Sequence, residues 1–131
     1  QANNTGCIIF ISSISAMRAS PGTAAYGAAK AGILSLVQSL AVEWAPKVRI
    51  ASVSPGLVKT ENSYLHYGDE DGIAAVSDTI PAGRMAEPDD IANACLFLAS
   101  PQASYSSGCN LLLNGGGEKP AFLARETMLS S

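Results

Sequence analysis

The residues whose types and spacing suggest chemistry are Tyr26 and Lys30, four positions apart in a chain of 131 residues. On a helix, side chains at this spacing lie on one face, a turn apart. A free phenol has a pKa of about 10, too high for a base at neutral pH, but a neighbouring ammonium stabilises the phenolate. The pair is therefore a candidate general acid and base for an alcohol or a carbonyl compound. Because such pairs are also common on solvated helices, the spacing alone is weak evidence.

A serine in a suitable position strengthens this interpretation. Ser13 comes just after the apolar run at 7–11, and a second short strand at 48–54 ends in the turn Pro55-Gly56. Open α/β sheets place their sites in loops at the carboxyl ends of parallel strands. A hydroxyl there can hydrogen-bond the same substrate oxygen that Tyr26 protonates. The two strand ends and the start of the intervening helix should therefore meet at one edge of a sheet.

The hydrophobic pattern predicts the elements that position these residues. Strands are expected at 7–12, 48–54 and 110–114, and helices near 24–45 and 88–99. The apolar run of the first strand is typical of a parallel strand that is covered on both faces. The alternation of strands and helices predicts a parallel sheet with right-handed crossovers.

Individual helices and loops give further expectations. The first helix shows apolar residues at steps of three and four, which predicts one buried face that includes Leu36 and Trp44. Pro88, followed by two acidic residues, is a favourable helix start. The stretch 61–81 lacks a clear period but has room for short helices, and the acidic residues 69–71 within it read as a solvated loop. Arg84 is interpreted as an anchor for this stretch.

Composition and charge argue against several classes of partner and site. The net charge of −3 argues against nucleic acid or an anionic membrane surface. No apolar run is expected to be long enough for a membrane span, and no signal peptide is visible. The three cysteines lack metal-site spacing and the one histidine is His66, so no metal site is predicted and reduced thiols in a cytoplasmic protein are expected. The absence of an initiator Met indicates a processed or truncated chain.

A set of short motifs, taken together, resembles one known family. The motifs are Ile11-Ser12-Ser13, Tyr26-x-x-x-Lys30, Pro55-Gly56-x-Val58-x-Thr60, Gly83-Arg84-Met85-Ala86-Glu87-Pro88 and Asn114-Gly115-Gly116. In order and spacing they resemble the short-chain dehydrogenase/reductase family, in the single-domain branch that includes bacterial acyl-carrier-protein reductases and hydroxysteroid dehydrogenases. The resemblance covers about residues 6–117, and it resembles the C-terminal half of such a protein.

The resemblance implies an α/β fold, the C-terminal part of a Rossmann-type doubly wound parallel sheet. It implies that Ser13 polarises the substrate oxygen and that Tyr26 donates or removes the proton. It implies that Lys30 stabilises the phenolate and holds the nicotinamide ribose of NAD or NADP. Cofactor contacts are likewise implied for Tyr26, Pro55, Gly56, Val58 and Thr60.

The same resemblance implies a domain plan and an assembly. Residues 1–117 would form the catalytic half, with 60–82 as a substrate loop or lid, and 118–131 would form a tail, whose last dozen residues look loosely attached. The family's glycine-rich TGxxxGxG turn, which binds the pyrophosphate, has no match in this sequence. About half of a typical family chain is therefore expected to be missing at the N-terminus. A homo-dimer or homo-tetramer is expected.

The resulting hypothesis is a nicotinamide-dependent oxidoreductase that interconverts a secondary alcohol and a ketone. Two alternatives remain open at this point. The chain on its own can be a truncated, inactive fragment, because a sheet lacking its other half has an unpaired edge. It can also serve only as an oligomerisation or interaction module, since the family's long helix and last strand form subunit interfaces.

Overall fold

The structure is a computed structural model that describes residues 5–125, with side chains described to residue 123. Its sheet has three parallel strands. The strands are β1 (Gly6–Ile11), β2 (Val48–Pro55) and β3 (Cys109–Leu113), in the order β1-β2-β3. In the register, Ile8 pairs with Ile50 and Val53 with Leu111. The predicted parallel α/β sheet is confirmed, with strand ends that differ by about one residue.

The central strand β2 holds the core of the sheet. Ile50, Ala51 and Val53 are fully buried, and Ala51 and Val53 pack against Leu98 of the last long helix. The prediction that the first strand is covered on both faces is wrong in the described residues. Ile8 is 39% exposed and Ile11 44% exposed, because the first long helix packs on β2 and leaves its side of β1 largely uncovered.

The crossover between the first two strands is helix α1 (Ala24–Glu43), which lies against β2. Val37 is its buried apolar contact, while Leu36 and Trp44 are each more than two-fifths exposed. The predicted burial of these two side chains is therefore wrong. The apolar residues of α1, spaced three and four apart, cover a wider face of the helix than the three strands can bury.

Helix α1 also corrects the expectation about apolar runs. It has 20 residues with a mean hydropathy of 1.2, so by length and composition it is long and apolar enough to cross a membrane. The core helix of a globular protein passes the same test. Here the helix is the crossover between two parallel strands, and its second turn is hydrogen-bonded to the end of β1.

The stretch after β2 contains two short helices, α2 (Ser63–Tyr67) and α3 (Glu70–Asp78). The acidic residues at 69–71 are a helix start instead of the expected solvated loop: Asp69 is the N-cap and its side chain accepts a hydrogen bond from Gly72 N. Acids in a first turn interact favourably with the helix dipole. Ile73, Ile80 and Met85 form a small apolar cluster that holds this stretch together.

Helix α4 (Pro88–Ala99) is the second long crossover, and Pro88 begins it as predicted. Asp90 accepts a hydrogen bond from Glu87 N at 2.7 Å, which satisfies one of the free amides at the helix start. The apolar side chains Ile91, Ala94 and Cys95 face the sheet. Helix α4 thereby packs on β1 and β2.

A buried polar cluster joins β2 to β3. The hydroxyls of Ser52 and Ser54, both fully buried, donate to Asn110 Oδ1 at 2.8 and 2.7 Å. One amide oxygen with two lone pairs thus accepts both hydroxyl protons. The cluster fixes the pairing of the two strands that lead to the turn after β2 and to the glycines after β3.

Candidate active site

The start of helix α1 is fixed to the carboxyl end of β1 by two hydrogen bonds. The Ser12 hydroxyl, 3% exposed, donates to Lys30 O at 2.9 Å. The Lys30 ammonium donates to Ile11 O at 3.1 Å. Both ends of Lys30, backbone and side chain, therefore contact the strand end. This places the second turn of α1 at the edge of the sheet where parallel α/β proteins form their sites.

The Tyr26 ring lies beside this ammonium. Lys30 Nζ is 5.7 Å from the centre of the ring, within the range of a cation–π contact. Tyr26 as a whole is 49% exposed. Gly27, which follows it, is buried, and a side chain there would meet Ser15 O at 3.0 Å and Ser20 Cβ at 3.2 Å. The absence of a side chain at Gly27 lets the helix start lie close to the loop after β1.

Ser13 begins that loop. Its backbone is extended and its hydroxyl oxygen accepts a hydrogen bond from Ser15 N at 3.1 Å, which caps the short 3-10 turn Ile14–Ala16. A hydroxyl that accepts one bond still has its own proton to donate. The structure therefore brings Ser13 and Lys30 to one strand end. The approach of the Tyr26 hydroxyl to Ser13 stays a prediction.

The turn after β2 forms the neighbouring wall. Gly56 N donates to Leu113 O at 2.7 Å, and a side chain at Gly56 would meet Asn114 Cα at 3.1 Å. Val58 forms a parallel bridge with Ala86, in which Leu57 O and Lys59 N make the hydrogen bonds. In such a bridge the amide and carbonyl of Val58 itself point away from Ala86.

Thr60 lies farther along the same turn. Its amide donates to the Ser63 hydroxyl at 2.8 Å, and Ser63 is 2% exposed. This bond fixes the start of the short helix α2, while the Thr60 residue itself is exposed. Of the predicted cofactor contacts, Pro55 is the last residue of β2, Gly56 and Val58 follow it, and Thr60 lies where the chain enters α2.

A cavity of about 1000 Å³ opens beside Gly56, and Ser13, Tyr26 and Lys30 are not among the residues that line it. Its wall includes Ile14, next to Ser13, and Gly56 and Leu57 of the turn after β2. The rest of the wall comes from the loop after β1, the end of α3, the chain up to the start of α4, the end of β3 with the glycines after it, and the tail. It comprises Arg18, Asp78, Thr79, Ile80, Ala82, Arg84, Ala86, Asp90, Leu113, Asn114, Gly115, Gly117, Glu118, Lys119 and Leu123. The cavity is mainly apolar with a few charged groups, which is typical of small-molecule sites.

Two charged pairs of the wall are features that sequence reasoning underrated. Arg84 Nη1 and Nη2 donate to the Asp90 carboxylate at 2.7 and 3.2 Å, which holds the chain before α4 to the first turn of that helix. The guanidinium and the Glu87 amide lower the pKa of Asp90 from an ordinary 3.8 to about 2. The same contact raises the pKa of Arg84.

The second pair involves the tail. Arg18 Nε lies 2.7 Å from Glu118 Oε1, and Lys119 Nζ donates to Asp78 O at 3.1 Å. The chain just before the last dozen residues is therefore held to the loop after β1 and to the end of α3, whereas residues 126–131 lie outside the described part. No local signal in the sequence indicates these contacts, because each joins residues that are far apart in the chain.

The residues 5–123 contain no cluster of three or more acidic, cysteine or histidine side chains suited to a metal ion. Cys7, Cys95 and Cys109 are free thiols, each half-buried. His66 is exposed on α2, with its ring 6.2 Å from that of Tyr67. These residues contribute nothing to the cavity wall.

Comparison with known proteins identifies the family. Residues 1–118 match the family model described as enoyl-(acyl carrier protein) reductase. A 3-oxoacyl-[acyl-carrier-protein] reductase of Rickettsia bellii is 42% identical over 115 residues, which are 87% of this chain and 47% of that protein. The chain belongs to the short-chain dehydrogenase/reductase family, and its sheet is part of a Rossmann fold.

Two further relatives indicate the range of the family. An L-rhamnose 1-dehydrogenase (NAD(P)(+)) of Azotobacter vinelandii is 39% identical, over 85% of this chain and 44% of that protein. A gluconate 5-dehydrogenase structure from Beutenbergia cavernae, with bound NADP at low occupancy, superposes with a TM-score of 0.78 at 37% identity, over 86% of this chain and 46% of that one. The chain thus spans less than half the length of these relatives.

Proposed function

We propose that the protein is an NAD(P)-dependent oxidoreductase that interconverts a secondary alcohol and a ketone, with Tyr26 as the acid and base. The observation that supports this most is the position of the Lys30 ammonium, 5.7 Å from the centre of the Tyr26 ring and hydrogen-bonded to the end of β1. Family membership supports the redox class, since dehydrogenases and reductases are among the relatives.

The proton chemistry of the proposal uses three side chains. In the oxidation direction the Tyr26 phenolate removes the hydroxyl proton of the alcohol, and in reduction the phenol returns it to the carbonyl oxygen. The Ser13 hydroxyl donates a hydrogen bond to the same oxygen and orients it. The Lys30 ammonium stabilises the phenolate form of Tyr26, which has to carry a negative charge in a partly exposed site.

The residues of this chain fit the nicotinamide end of a dinucleotide. The Val58 amide and carbonyl, which the bridge to Ala86 leaves pointing away, suit a carboxamide, and Lys30 suits the ribose hydroxyls. When bound, the cofactor supplies the hydride acceptor or donor for the carbon atom of the alcohol or ketone. Because the sequence lacks the glycine-rich pyrophosphate turn, the 131 residues alone should bind the cofactor weakly or not at all.

The proposal is tested by assaying the full-length protein with secondary alcohols and ketones in the presence of NAD or NADP. Absorbance of the reduced nicotinamide reports turnover, and a substrate deuterated at the carbinol carbon should transfer deuterium to the nicotinamide ring. A slower rate with the deuterated alcohol would support hydride transfer. Absence of any cofactor-dependent turnover across a broad panel, by a folded protein that binds neither dinucleotide, would refute the proposal.

A further inference from the structure

An arginine in the wall of the cavity has a position that suits substrate recognition. Arg18 lies in the loop between Ser13 and Tyr26, and it lines the same cavity as Ile14 and Gly56. Its Nη1 donates to Ala19 O at 3.2 Å, which orients the guanidinium. Its Nε lies 2.7 Å from Glu118 Oε1. The guanidinium therefore already binds a carboxylate inside the cavity.

The partner of Arg18 is exchangeable. The two side chains are 42% and 68% exposed, and ion pairs at such exposure are weak because both groups can be hydrated instead. Glu118 also follows directly on Gly117, the last of three glycines with φ of 65°, 105° and 95°. Lys119 holds the next residue of the tail to the opposite wall through Asp78 O. A small rotation before Glu118 would free Arg18 while that anchor stays in place.

The other cations of the wall are less available. The Arg84 guanidinium already donates hydrogen bonds to both carboxylate oxygens of Asp90, at 2.7 and 3.2 Å, and to Met85 O. Lys119 is a compact point charge that contacts a backbone carbonyl. Among the positively charged side chains of the wall, Arg18 is thus the one whose guanidinium contacts a single carboxylate that can be displaced, that of Glu118.

We propose that Arg18 binds the carboxylate of the substrate, so that the protein acts on oxo acids and hydroxy acids, and that Glu118 occupies this position when substrate is absent. The proposal rests on the proposed oxidoreductase function for its reaction. It adds a substrate class to that function. Arginine suits this role because its two parallel N–H donors match the two carboxylate oxygens.

Kinetics with matched ketones test this. The full-length wild type and Arg18→Gln are compared on a series of oxo acids of increasing chain length and on their methyl esters. We expect Arg18→Gln to lower kcat/KM for the preferred oxo acid about 10- to 100-fold, from loss of a charge-assisted pair, with less than about a threefold change for its ester. Lys47→Gln, which removes a positive charge at the opposite ends of the strands, should change neither. Equal losses on acid and ester, or no loss on the acid, would overturn the proposal.

Direct binding separates this proposal from the proposed reaction. Butanoate and pentanoate are titrated into the same proteins by ligand-observed NMR, with no cofactor or turnover needed. Arg18→Gln should weaken carboxylate binding at least about tenfold, and Glu118→Gln should tighten it because the internal competitor is lost. If turnover fails but these two shifts appear, the reaction is wrong and the carboxylate site stands. If Glu118→Gln leaves binding unchanged or weakens it, the exchange with Glu118 is refuted.

Discussion

The ammonium of Lys30 lies 5.7 Å from the centre of the Tyr26 ring and donates a hydrogen bond to Ile11 O at 3.1 Å. One side chain thus connects the candidate acid and base on helix α1 with the end of strand β1. The Ser12 hydroxyl makes the same connection through the Lys30 carbonyl. Both links hold the second turn of α1 to the chain just before Ser13.

The first prediction concerns the proton. Tyr26→Phe in the full-length protein should lower kcat about 100- to 10,000-fold, the usual contribution of a general acid or base. The dissociation constant of the reduced cofactor should change little, because the ring and its contact with Lys30 remain. Steady-state kinetics and fluorescence titration measure the two quantities separately.

Tyr105→Phe is a matched control for this variant. Tyr105 is fully exposed and precedes β3, at the end of the sheet opposite the candidate site, and its replacement also removes one phenolic hydroxyl. It should leave kcat unchanged. A Tyr26→Phe enzyme with the turnover of the control would contradict the role assigned to Tyr26.

Local signals in the sequence predict the strands and the two long helices well. The apolar β-branched runs and Pro88 give element positions within a few residues. The burial of Trp44 and Leu36 could not be predicted, because it depends on how much sheet lies beneath α1. A periodic stripe indicates which face of a helix is apolar but not how much of that face finds a partner.

Some features of the candidate site can likewise be predicted from the sequence, and others cannot. Ser13, Tyr26 and Lys30 are predicted as catalytic residues from motifs that lie close together in the chain, and their roles stay a prediction. The pairs Arg18–Glu118 and Arg84–Asp90 are not recognisable in this manner. The first depends on the return of the chain after β3 to the loop after β1, and the second resembles any pair of opposite charges around a helix start.

The second prediction concerns the buried hydroxyls between β2 and β3. Asn110→Ala removes the acceptor of both Ser52 and Ser54, so two fully buried hydroxyls lose their partner. The free energy of unfolding should fall by about 2–5 kcal/mol, measured by urea denaturation of the full-length protein. Adding Ser52→Ala and Ser54→Ala to this variant should restore part of the loss, because no unpaired hydroxyl remains. A triple variant less stable than Asn110→Ala would contradict this account.

The third prediction separates backbone strain from crowding at two glycines. Gly115 has φ of 65°, and a side chain there would meet Ile80 Cγ2 at 2.8 Å, whereas Gly83 has φ of 80° with open space around it. Gly83→Ala should cost only the left-handed backbone strain, about 1–2 kcal/mol. Gly115→Ala should cost roughly 1–3 kcal/mol more, because the end of the α3 stretch must move away. Equal losses of unfolding free energy for the two variants would contradict this, because they would mean that Ile80 moves aside at no cost.

The last prediction concerns the acid dependence of the Arg84–Asp90 pair. The pKa of Asp90 is lowered to about 2, so the folded protein binds this proton less readily than the unfolded chain, in which the value is near 3.8. The stabilisation from the pair is therefore complete above about pH 4 and is lost as the pH falls through about 2. Wild type should be more stable than Asp90→Asn near neutral pH, and the difference should vanish in that acid range. Because both side chains are substantially exposed, salt should also reduce the difference. A pH-independent loss in Asp90→Asn would contradict this account, because the ion pair and the hydrogen bond from Glu87 N both favour the ionised carboxylate.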